Sequence, residues 1–208
     1  MLRINKMVKK IILFFIRPLI RFINFIIHEK AKYERDELKQ KFKKVGVKFT
    51  IGKDSRVFNP KYIEIGDNFI ALDRFRIEAW DKYENDTFQP SIKIGNNVIF
   101  NTDIHIGCIN SVEIGDNCLF ASRIYITDHH HGDTSDGMIK LQPSKRPLIS
   151  KGSVKIKNNV WVGEGVVIMP GVTIGENCII GSNAVVTKDI PDNSVAAGMP
   201  AKVIKNLK

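Results

Sequence analysis

Hydrophobic positions between residues 156 and 186 recur at every sixth residue. They are always Ile or Val: Ile156, Val162, Ile168, Ile174, Ile180 and Val186. This spacing fits neither the 3.6-residue period of an α-helix nor the two-residue alternation of a half-buried strand. A short fixed period of aliphatic residues, often followed by Gly, is typical of a parallel β-helix, in which each block supplies one strand and one turn. Three blocks complete one triangular coil.

The same register extends towards the N-terminus and predicts six coils. Their leading residues are Ile51, Val57 and Ile63; Ile65, Ala71 and Ile77; Ile94, Phe100 and Ile106; Ile114, Phe120 and Ile126; Ile156, Val162 and Ile168; and Ile174, Ile180 and Val186. Four coils begin with Ile-Gly-x-Asn, and Asn and Gly both tolerate left-handed backbone conformations at corners. Cys118 and Cys178 take small inward positions of their blocks, so we expect them in the core.

Two insertions break the register, and insertions into a solenoid are common places for function. The first, at about residues 81–89, is polar and acidic and predicts a surface loop. The second is a protruding loop at about residues 128–152, which contains Asp128-His129-His130-His131-Gly132-Asp133. Four of the five histidines lie in the third coil and this loop, so the candidate chemistry lies there.

The N-terminal segment predicts an amphipathic helix. Between residues 11 and 27 the sequence is largely apolar, and one narrow stripe of a helical wheel carries Lys10, Arg17, Arg21, Asn24 and His28. Its two central Arg make it a poor membrane span, and no cleavage site follows it. We expect residues 1–28 to lie on an anionic membrane surface; the alternative is packing on the solenoid end or within an oligomer.

Charge supports a division into two domains. Residues 1–48 contain 14 Lys and Arg but four Asp and Glu, whereas residues 49–208 contain 18 of each, so the net charge of +10 lies entirely in the first segment. We expect a basic helical segment over 1–48, with a solvated helix and linker from residue 31 to Gly46, and a β-helix domain over 49–208. The neutral solenoid argues against nucleic-acid binding. Three cysteines form no disulfide framework and favour a reducing, cytoplasmic location.

Three C-terminal motifs add a resemblance to a known family. They are Asn159-Val-Trp-Val-Gly-Glu-Gly through Asn177, Val186-Thr-Lys-Asp-Ile-Pro191, and Ala196-Ala-Gly-Met-Pro-Ala-Lys-Val-Ile204. With the hexads and the His loop, they resemble the galactoside, maltose and nodulation-factor O-acetyltransferase group of the hexapeptide-repeat acetyltransferases, over about residues 50–205. The resemblance implies an all-β solenoid, a left-handed parallel β-helix, and a homotrimer with sites between adjacent subunits. It also implies acetyl-CoA as co-substrate, a carbohydrate acceptor and no required metal.

Site residues follow from the same resemblance. His129 matches the family's catalytic base, a role that suits an imidazole, whereas an ungapped count from Ile114 points to His131. Asn101 matches an Asn that holds the acceptor or the acetyl group. The family's orienting Asp falls on Ile109, so we expect Asp103 or Asp128 to replace it and to border the acceptor pocket.

The coenzyme and acceptor residues are expected on the last coils. Ser182, Thr187 and Lys188 match pantetheine and adenine contacts, and Lys202 and Lys205 replace arginines that meet phosphates. Glu164 stands among the cofactor-binding positions where a Ser is usual. Trp161 is expected to line the acceptor pocket at the subunit boundary, or alternatively to pack against the neighbouring chain.

Together these features predict an O-acetyltransferase that acts on a surface-polysaccharide precursor, O-antigen or capsule, at the inner face of the cytoplasmic membrane. Three alternatives stay open. One is N-acetylation of an amino sugar. Another is a zinc enzyme of the carbonic anhydrase type, with His105 and His129 supplied by two subunits. The third is a scaffold or binding module without catalysis.

Overall fold

The structure, a computed structural model, describes residues 6–207, with side-chain surroundings from residue 13 onwards. The chain divides into two compact units between Gln40 and Lys41. The first unit is built on α1 (Lys6–Lys41), one continuous helix of 36 residues with Pro18 inside it. The sequence predicted a second helix and linker up to Gly46, whereas α1 continues without a break and ends at Lys41. Within residues 6–207, no helix is long and apolar enough to cross a membrane.

The second unit is a triangular β-helix with three sheets, which we name faces A, B and C. Face A contains β1 (Lys44–Val45), β4 (Ile63–Ile65), β9 (Ser91–Ile94), β12 (Ser111–Ile114), β17 (Val154–Ile156) and β20 (Thr173–Ile174). Face B contains β2 (Thr50–Ile51), β5 (Ile70–Ala71), β10 (Ile99–Phe100), β13 (Leu119–Phe120), β18 (Trp161–Val162), β21 (Ile179–Ile180), β23 (Ser194–Ala197) and β24 (Lys202–Asn206). Face C contains β3 (Arg56–Phe58), β6 (Arg76–Ala79), β11 (His105–Cys108), β14 (Tyr125–Thr127), β19 (Val167–Ile168) and β22 (Val185–Val186).

Neighbouring strands in the three faces pair in parallel, and β24 alone among the strands of these faces runs antiparallel, against β23. The six predicted coils are confirmed, with one correction to their register. Ile63 does not end the first coil; it lies in β4 with Ile65 and pairs with Ile92 of the next coil. Both side chains point inward because they stand two residues apart on one strand. The first coil therefore begins with β1, ahead of the expected boundary at residue 49.

A column of aromatic rings fills the first four coils. Phe69, Phe75, Phe100 and Phe120 are fully buried, and the ring centroids of Phe100 and Phe120 lie 4.6 Å apart. Aliphatic residues replace these rings in the last coils, where Val162 and Ile180 are buried in the same sheet. The predicted core positions of Cys118 and Cys178 are confirmed, because both thiols are buried.

Asn side chains connect successive coils along one corner. Six residues at this corner have positive φ, and each of the first five donates through Nδ2 to the Oδ1 atom of the next: Asn68, Asn97, Asn117, Asn159, Asn177 and Asn193. The Gly that follows the leading Ile was predicted to adopt a left-handed conformation at the corner. Gly66, Gly95 and Gly115 do not, because none of them has a positive φ. A Cβ atom at Gly95 would lie 2.8 Å from the carbonyl carbon of Gly115. Glycine therefore permits the close stacking of coils.

Both insertions are structured, and they contact each other. The first is a short hairpin of β7 (Lys82–Tyr83) and β8 (Asp86–Thr87). In the second, which we call the arm, β15 (His129–His131) pairs with β16 (Leu148–Ser150). Between these strands lie α2 (Asp136–Ile139) and a 3₁₀ turn at Pro143–Lys145. Another 3₁₀ turn, outside the arm, spans Pro60–Tyr62. The hydroxyl of Tyr83 donates to the carbonyl of Ser144 at 2.7 Å.

Candidate active site

A carboxylate and an imidazole meet where β14 leads into the arm. Asp128 is completely buried, and its Oδ1 atom lies 2.9 Å from Nδ1 of His129. The backbone N–H groups of Ile109 and Asn110 donate to Asp128 at 3.0 and 2.7 Å. An ionised carboxylate only accepts hydrogen bonds, so this contact assigns the proton to Nδ1 of neutral His129 and leaves the lone pair on Nε2.

The thiol of Cys108 completes the surroundings of Asp128. Its Sγ atom donates to Oδ2 of Asp128 at 3.3 Å. Burial, reinforced by the charge of Asp128, raises the pKa of Cys108 well above its usual range. The thiol therefore stays protonated and acts as a further donor to the carboxylate. It has no thiolate character and is no candidate nucleophile.

Gly107 on β11 leaves the space that the His129 ring occupies. A Cβ atom at this position would lie 3.3 Å from Cε1 of His129 and 4.0 Å from Nε2 of His105. The His129 side chain is only 10% exposed, and its Nδ1 atom also lies 3.4 Å from the hydroxyl oxygen of Thr127. The ring is thus held between β11 and the start of the arm.

A second imidazole and carboxylate lie beside the first pair. Nε2 of His105 is 3.3 Å from Oε2 of Glu78, and the His105 ring packs against Tyr125 with centroids 4.9 Å apart and the ring planes tilted by 37°. Glu78 is buried and also pairs with Arg76 at 2.8 Å and with Arg56 at 3.3 Å. Burial acts to raise the pKa of Glu78, but the hydrogen bond from Arg76 and the neighbouring positive charges outweigh it, so the pKa is lowered.

Face C and both insertions together enclose a small cavity of about 130 Å³. Its lining consists of Arg76, Glu78, Trp80, Tyr83, His105, Gly107, Tyr125, His129, His131 and Leu148. His131 meets the Tyr83 ring edge-on, with centroids 5.3 Å apart. Of the two candidate bases, His129 contacts a buried carboxylate, whereas His131 contacts an aromatic ring.

Three residues that we expected at the acceptor site lie outside the lining of this cavity. Asn101 occupies the corner that precedes β11, and Trp161 is 52% exposed on face B. Asp103 forms a paired hydrogen bond with Arg74 at 2.5 and 2.6 Å. Neither these three residues nor Asp128 are among the described residues that line the cavity. Of the two candidates for the orienting carboxylate, Asp128 contacts His129.

The expected coenzyme residues are exposed at the C-terminal end of the solenoid. Val185 donates to the carbonyl of Gly198, and Ala201 donates back to the carbonyl of Val185. These bonds bring the start of β24, with Lys202, beside the strand that leads to Thr187 and Lys188. Ser182 follows β21, and Lys205 lies further along β24, opposite Val195. Glu164 pairs instead with Arg123, at 2.6 Å.

Sequence reasoning missed the pairing of Glu78 with His105. A signal was available, because the register of face C places Arg76, His105 and Tyr125 side by side, followed by Glu78, Gly107 and Thr127. Between residues 6 and 207, no group of three or more His, Cys, Asp or Glu is arranged to hold a metal ion.

Comparison with known proteins decides the family. The family described as bacterial transferase hexapeptide (six repeats) matches residues 153–188. The putative lipopolysaccharide biosynthesis O-acetyl transferase WbbJ of Escherichia coli K12 is 40% identical over 151 residues, which cover 71% of this chain and 73% of that protein. The chain belongs to the hexapeptide-repeat acetyltransferases. The predicted family and enzyme class are thereby confirmed.

Two further hexapeptide-repeat acetyltransferases illustrate the likeness. Galactoside O-acetyltransferase of Escherichia coli K12 is 36% identical over 125 residues, which cover 58% of this chain and 57% of the relative. The crystal structure of a maltose O-acetyltransferase from Clostridium difficile 630 matches with a TM-score of 0.55 and 32% identity, and the match covers 84% of this chain and 74% of that one. The predicted left-handed β-helix is confirmed.

Proposed function

We propose that the chain is an O-acetyltransferase that moves an acetyl group from acetyl-CoA to a sugar hydroxyl. The observation that carries this proposal is the contact between buried Asp128 and Nδ1 of His129. In the neutral ring this contact leaves the lone pair on Nε2, and His129 is among the residues that line the cavity. The names of the relatives, which include lipopolysaccharide and galactoside O-acetyltransferases, support the same reaction.

In the proposed reaction, His129 acts as the general base. A sugar hydroxyl is a weak nucleophile, so removal of its proton during attack accelerates the reaction. Acetyl-CoA supplies the acetyl group as a thioester. Nε2 of His129 accepts the hydroxyl proton while the hydroxyl oxygen bonds to the acetyl carbon, and the carbon–sulfur bond breaks. His129 then returns the proton to the sulfur, and Asp128 stabilises the imidazolium in between.

The end of the solenoid suits an anionic, phosphate-bearing donor. Lys188, Lys202 and Lys205 are all exposed there, and β24 carries two of them. A Lys binds a phosphate as a point charge and does not need the paired geometry of Arg. Ser182 and Thr187 add hydroxyl groups at the same end, and we assign these five residues to coenzyme binding. Glu164 is the weaker candidate, because Arg123 already pairs with it.

We assign the acceptor to a surface-polysaccharide precursor. The lipopolysaccharide biosynthesis name of the 40% identical relative supports this class. The cavity around His129 is small and largely aromatic, with Trp80, Tyr83 and Tyr125 in its lining. Aromatic side chains suit a sugar, because they offer an apolar face beside polar groups that fix orientation.

We propose that three copies assemble and complete the site. The outward positions of face B form an apolar ladder, because Ile70, Ile99, Leu119 and Trp161 stand in register and are 36–52% exposed. The outward positions of face A instead alternate in charge: Lys44, Glu64, Lys93, Glu113 and Lys155. Face B therefore fits a second copy, which would bring Trp161 and Asn101 towards the cavity of its neighbour.

Sedimentation of the full chain tests this assembly. We expect a trimer for the wild type and a monomer for Trp161→Lys, because burying an unpaired Lys opposes association. Thr173→Lys, at the equivalent strand position on face A, is the matched control and should stay trimeric. A monomeric wild type would contradict the assembly.

The basic segment is proposed to hold the enzyme on an anionic membrane, which makes residues 1–48 an anchoring domain beside a catalytic domain over 49–208. Apolar side chains of α1 from Leu13 to Ile27 are exposed, at 37% to 73%. Arg17 and Arg21 are exposed beside them, as in helices that lie in the headgroup region. Such placement puts the enzyme at the inner face of the cytoplasmic membrane.

Binding to lipid vesicles tests the anchor. We expect the full chain to sediment with vesicles of phosphatidylcholine and phosphatidylglycerol, and Arg17→Glu with Arg21→Glu to weaken binding roughly tenfold or more, since each basic residue contributes about 1 kcal/mol. Lys53→Glu with Lys140→Glu is the control for net charge. Equal binding by both variants would contradict the proposal.

The reaction itself is tested by incubating the full chain with acetyl-CoA and a panel of sugars and amino sugars. We expect thiol release that depends on a sugar, with an acetyl ester in the product. A product with an acetyl amide alone would replace O-transfer by N-transfer. Absence of both thiol release and coenzyme binding would overturn the acetyltransferase assignment for this chain.

A further inference from the structure

We propose that His105, held by Glu78, binds a second hydroxyl of the acceptor sugar and thereby selects the hydroxyl that meets His129. This inference rests on the proposed function and deepens it. His105 would be a positioning residue, because it acts on the orientation of the acceptor while His129 takes the proton. The acceptor class would be a sugar with a free hydroxyl beside the one that is acetylated.

The two imidazoles flank Gly107, and all three residues line the same cavity. The position of a Cβ atom at Gly107 lies 3.3 Å from Cε1 of His129 and 4.0 Å from Nε2 of His105. Both rings line the cavity, and His105 is the more accessible, at 32% exposed against 10%. One sugar ring can therefore face both imidazoles through neighbouring hydroxyl groups.

Glu78 fixes the orientation and proton position of His105. The carboxylate lies 3.3 Å from Nε2, so it accepts the N–H at that atom and leaves the lone pair of the neutral ring on Nδ1. No described residue forms a hydrogen bond with Nδ1 of His105. Tyr125 packs against the ring and restricts its rotation. An oriented acceptor atom that has no protein partner suits a ligand hydroxyl.

Arg76 and Arg56 keep Glu78 ionised in its buried position. Arg76 donates to Oε2 at 2.8 Å, whereas Oε1 makes no hydrogen bond although Nε of Arg56 lies 3.3 Å away. The cost of desolvating a buried carboxylate can exceed the gain from its ion pairs, and Oε1 here has no hydrogen bond among the described residues, so the arrangement is unfavourable for the fold alone. Orientation of the adjacent His105 gives a reason for the buried carboxylate of Glu78, just as Asp128 orients His129.

Acceptor kinetics and product analysis test the inference. His105→Phe keeps a ring packed against Tyr125 but removes Nδ1, while His105→Gln keeps a hydrogen-bonding group. We expect His105→Phe to raise the acceptor KM about tenfold, in line with the loss of one hydrogen bond of ~1.4 kcal/mol. The acetyl-CoA KM should stay unchanged. NMR of the product should show esters at more than one hydroxyl, and His105→Gln should recover part of the selectivity.

His130→Phe is the matched control, because this neighbour carries the same ring change and does not line the cavity. Wild-type acceptor KM and a single ester position in His105→Phe would overturn the inference and leave the proposed function intact. If His105→Phe is not folded, His105→Ala, which also removes Nδ1, takes its place in the same assays. A wild-type chain that acetylates no sugar would overturn the proposed function and this inference with it.

Discussion

The Oδ1 atom of Asp128 lies 2.9 Å from Nδ1 of His129, and the backbone N–H of Ile109 donates to the same oxygen at 3.0 Å. Ile109 occupies the position where the family resemblance leads one to expect the orienting carboxylate. Here that position supplies a backbone donor, and the carboxylate comes from the residue that precedes the candidate base. Asp128 and His129 are thus neighbours in the chain after β14, and the parallel pairing of β14 with β11 brings the backbone donors Ile109 and Asn110 to Asp128.

Asp128→Asn tests the orienting role of Asp128 towards His129 separately from coenzyme binding. The amide cannot play the same role at Nδ1 of His129, so we expect kcat to fall roughly 10²–10⁴-fold, as when an imidazole is held in the wrong tautomer. Stability should fall by ~1–3 kcal/mol, because the N–H groups of Ile109 and Asn110 lose charged acceptors. Stopped assays measure kcat, coenzyme titration measures binding, and thermal unfolding measures stability. Asp136→Asn, on exposed α2, is the control; a kcat within about threefold of wild type in Asp128→Asn would count against the orienting role.

Gly107→Ala tests the space that holds His129. The new methyl group would lie 3.3 Å from Cε1, so the ring must shift by a small distance. We expect a loss of about tenfold in kcat, because displacement of a reacting group by 1 Å can cost ~10². Gly137→Ala is the matched control, since nothing lies within 4 Å of its Cβ position. Unchanged kcat in Gly107→Ala would show that the position of this ring does not limit the reaction.

The solenoid could be predicted in detail because its physics is local and repetitive. After the first coil, each block buries its leading hydrophobic residue and the residue two positions before it, such as Cys118 and Cys178, so the six-residue period gives coil number and core. The register error at Ile63 arose because this residue follows Val57 by six positions, although it is the buried residue that stands two positions before the leading Ile65. The sites at His129 and His105 could be predicted only in part: Asp128 and His129 are sequence neighbours, but the backbone donors to Asp128 come from another coil, and so does the Glu78 partner of His105. Glu78 and Gly107 acquire their roles through neighbours 27 and about 20 residues away.

Asn117 tests the corner ladder. It has φ 58°, accepts from Asn97 at 2.9 Å and donates to Asn159 at 3.2 Å. Asn117→Ala loses both bonds and replaces a residue that tolerates the left-handed conformation by one that does not, which costs roughly 1–2 kcal/mol. Asn117→Gly loses the bonds but relieves the conformation, so its free energy of unfolding should lie between those of Asn117→Ala and wild type. Equal denaturant midpoints for Ala and Gly would contradict the conformational account.

Stability should fall at mildly acidic pH. Burial lowers the pKa of His105 below the ordinary 6.5, with the charge of Arg76 acting in the same direction, and burial lowers the pKa of His130 and His131 as well. The unfolded chain then binds more protons than the folded chain as the pH falls through 6.5, so the free energy of unfolding decreases. We expect a lower melting temperature at pH 5.5 than at pH 7.5. His105→Phe should reduce this difference, and an unchanged pH dependence in that variant would contradict the contribution of His105.

The most direct test of the account compares His129→Ala with His131→Ala in sugar-dependent thiol release from acetyl-CoA, with folding and coenzyme affinity measured for each. If His129 is the base, His129→Ala loses about 10² or more in kcat while its coenzyme Kd stays at the wild-type value. His131→Ala retains most of the activity, since the His131 ring contacts Tyr83 and, among the described residues, no carboxylate. A full-rate His129→Ala enzyme, or a loss confined to His131→Ala, would contradict the central claim.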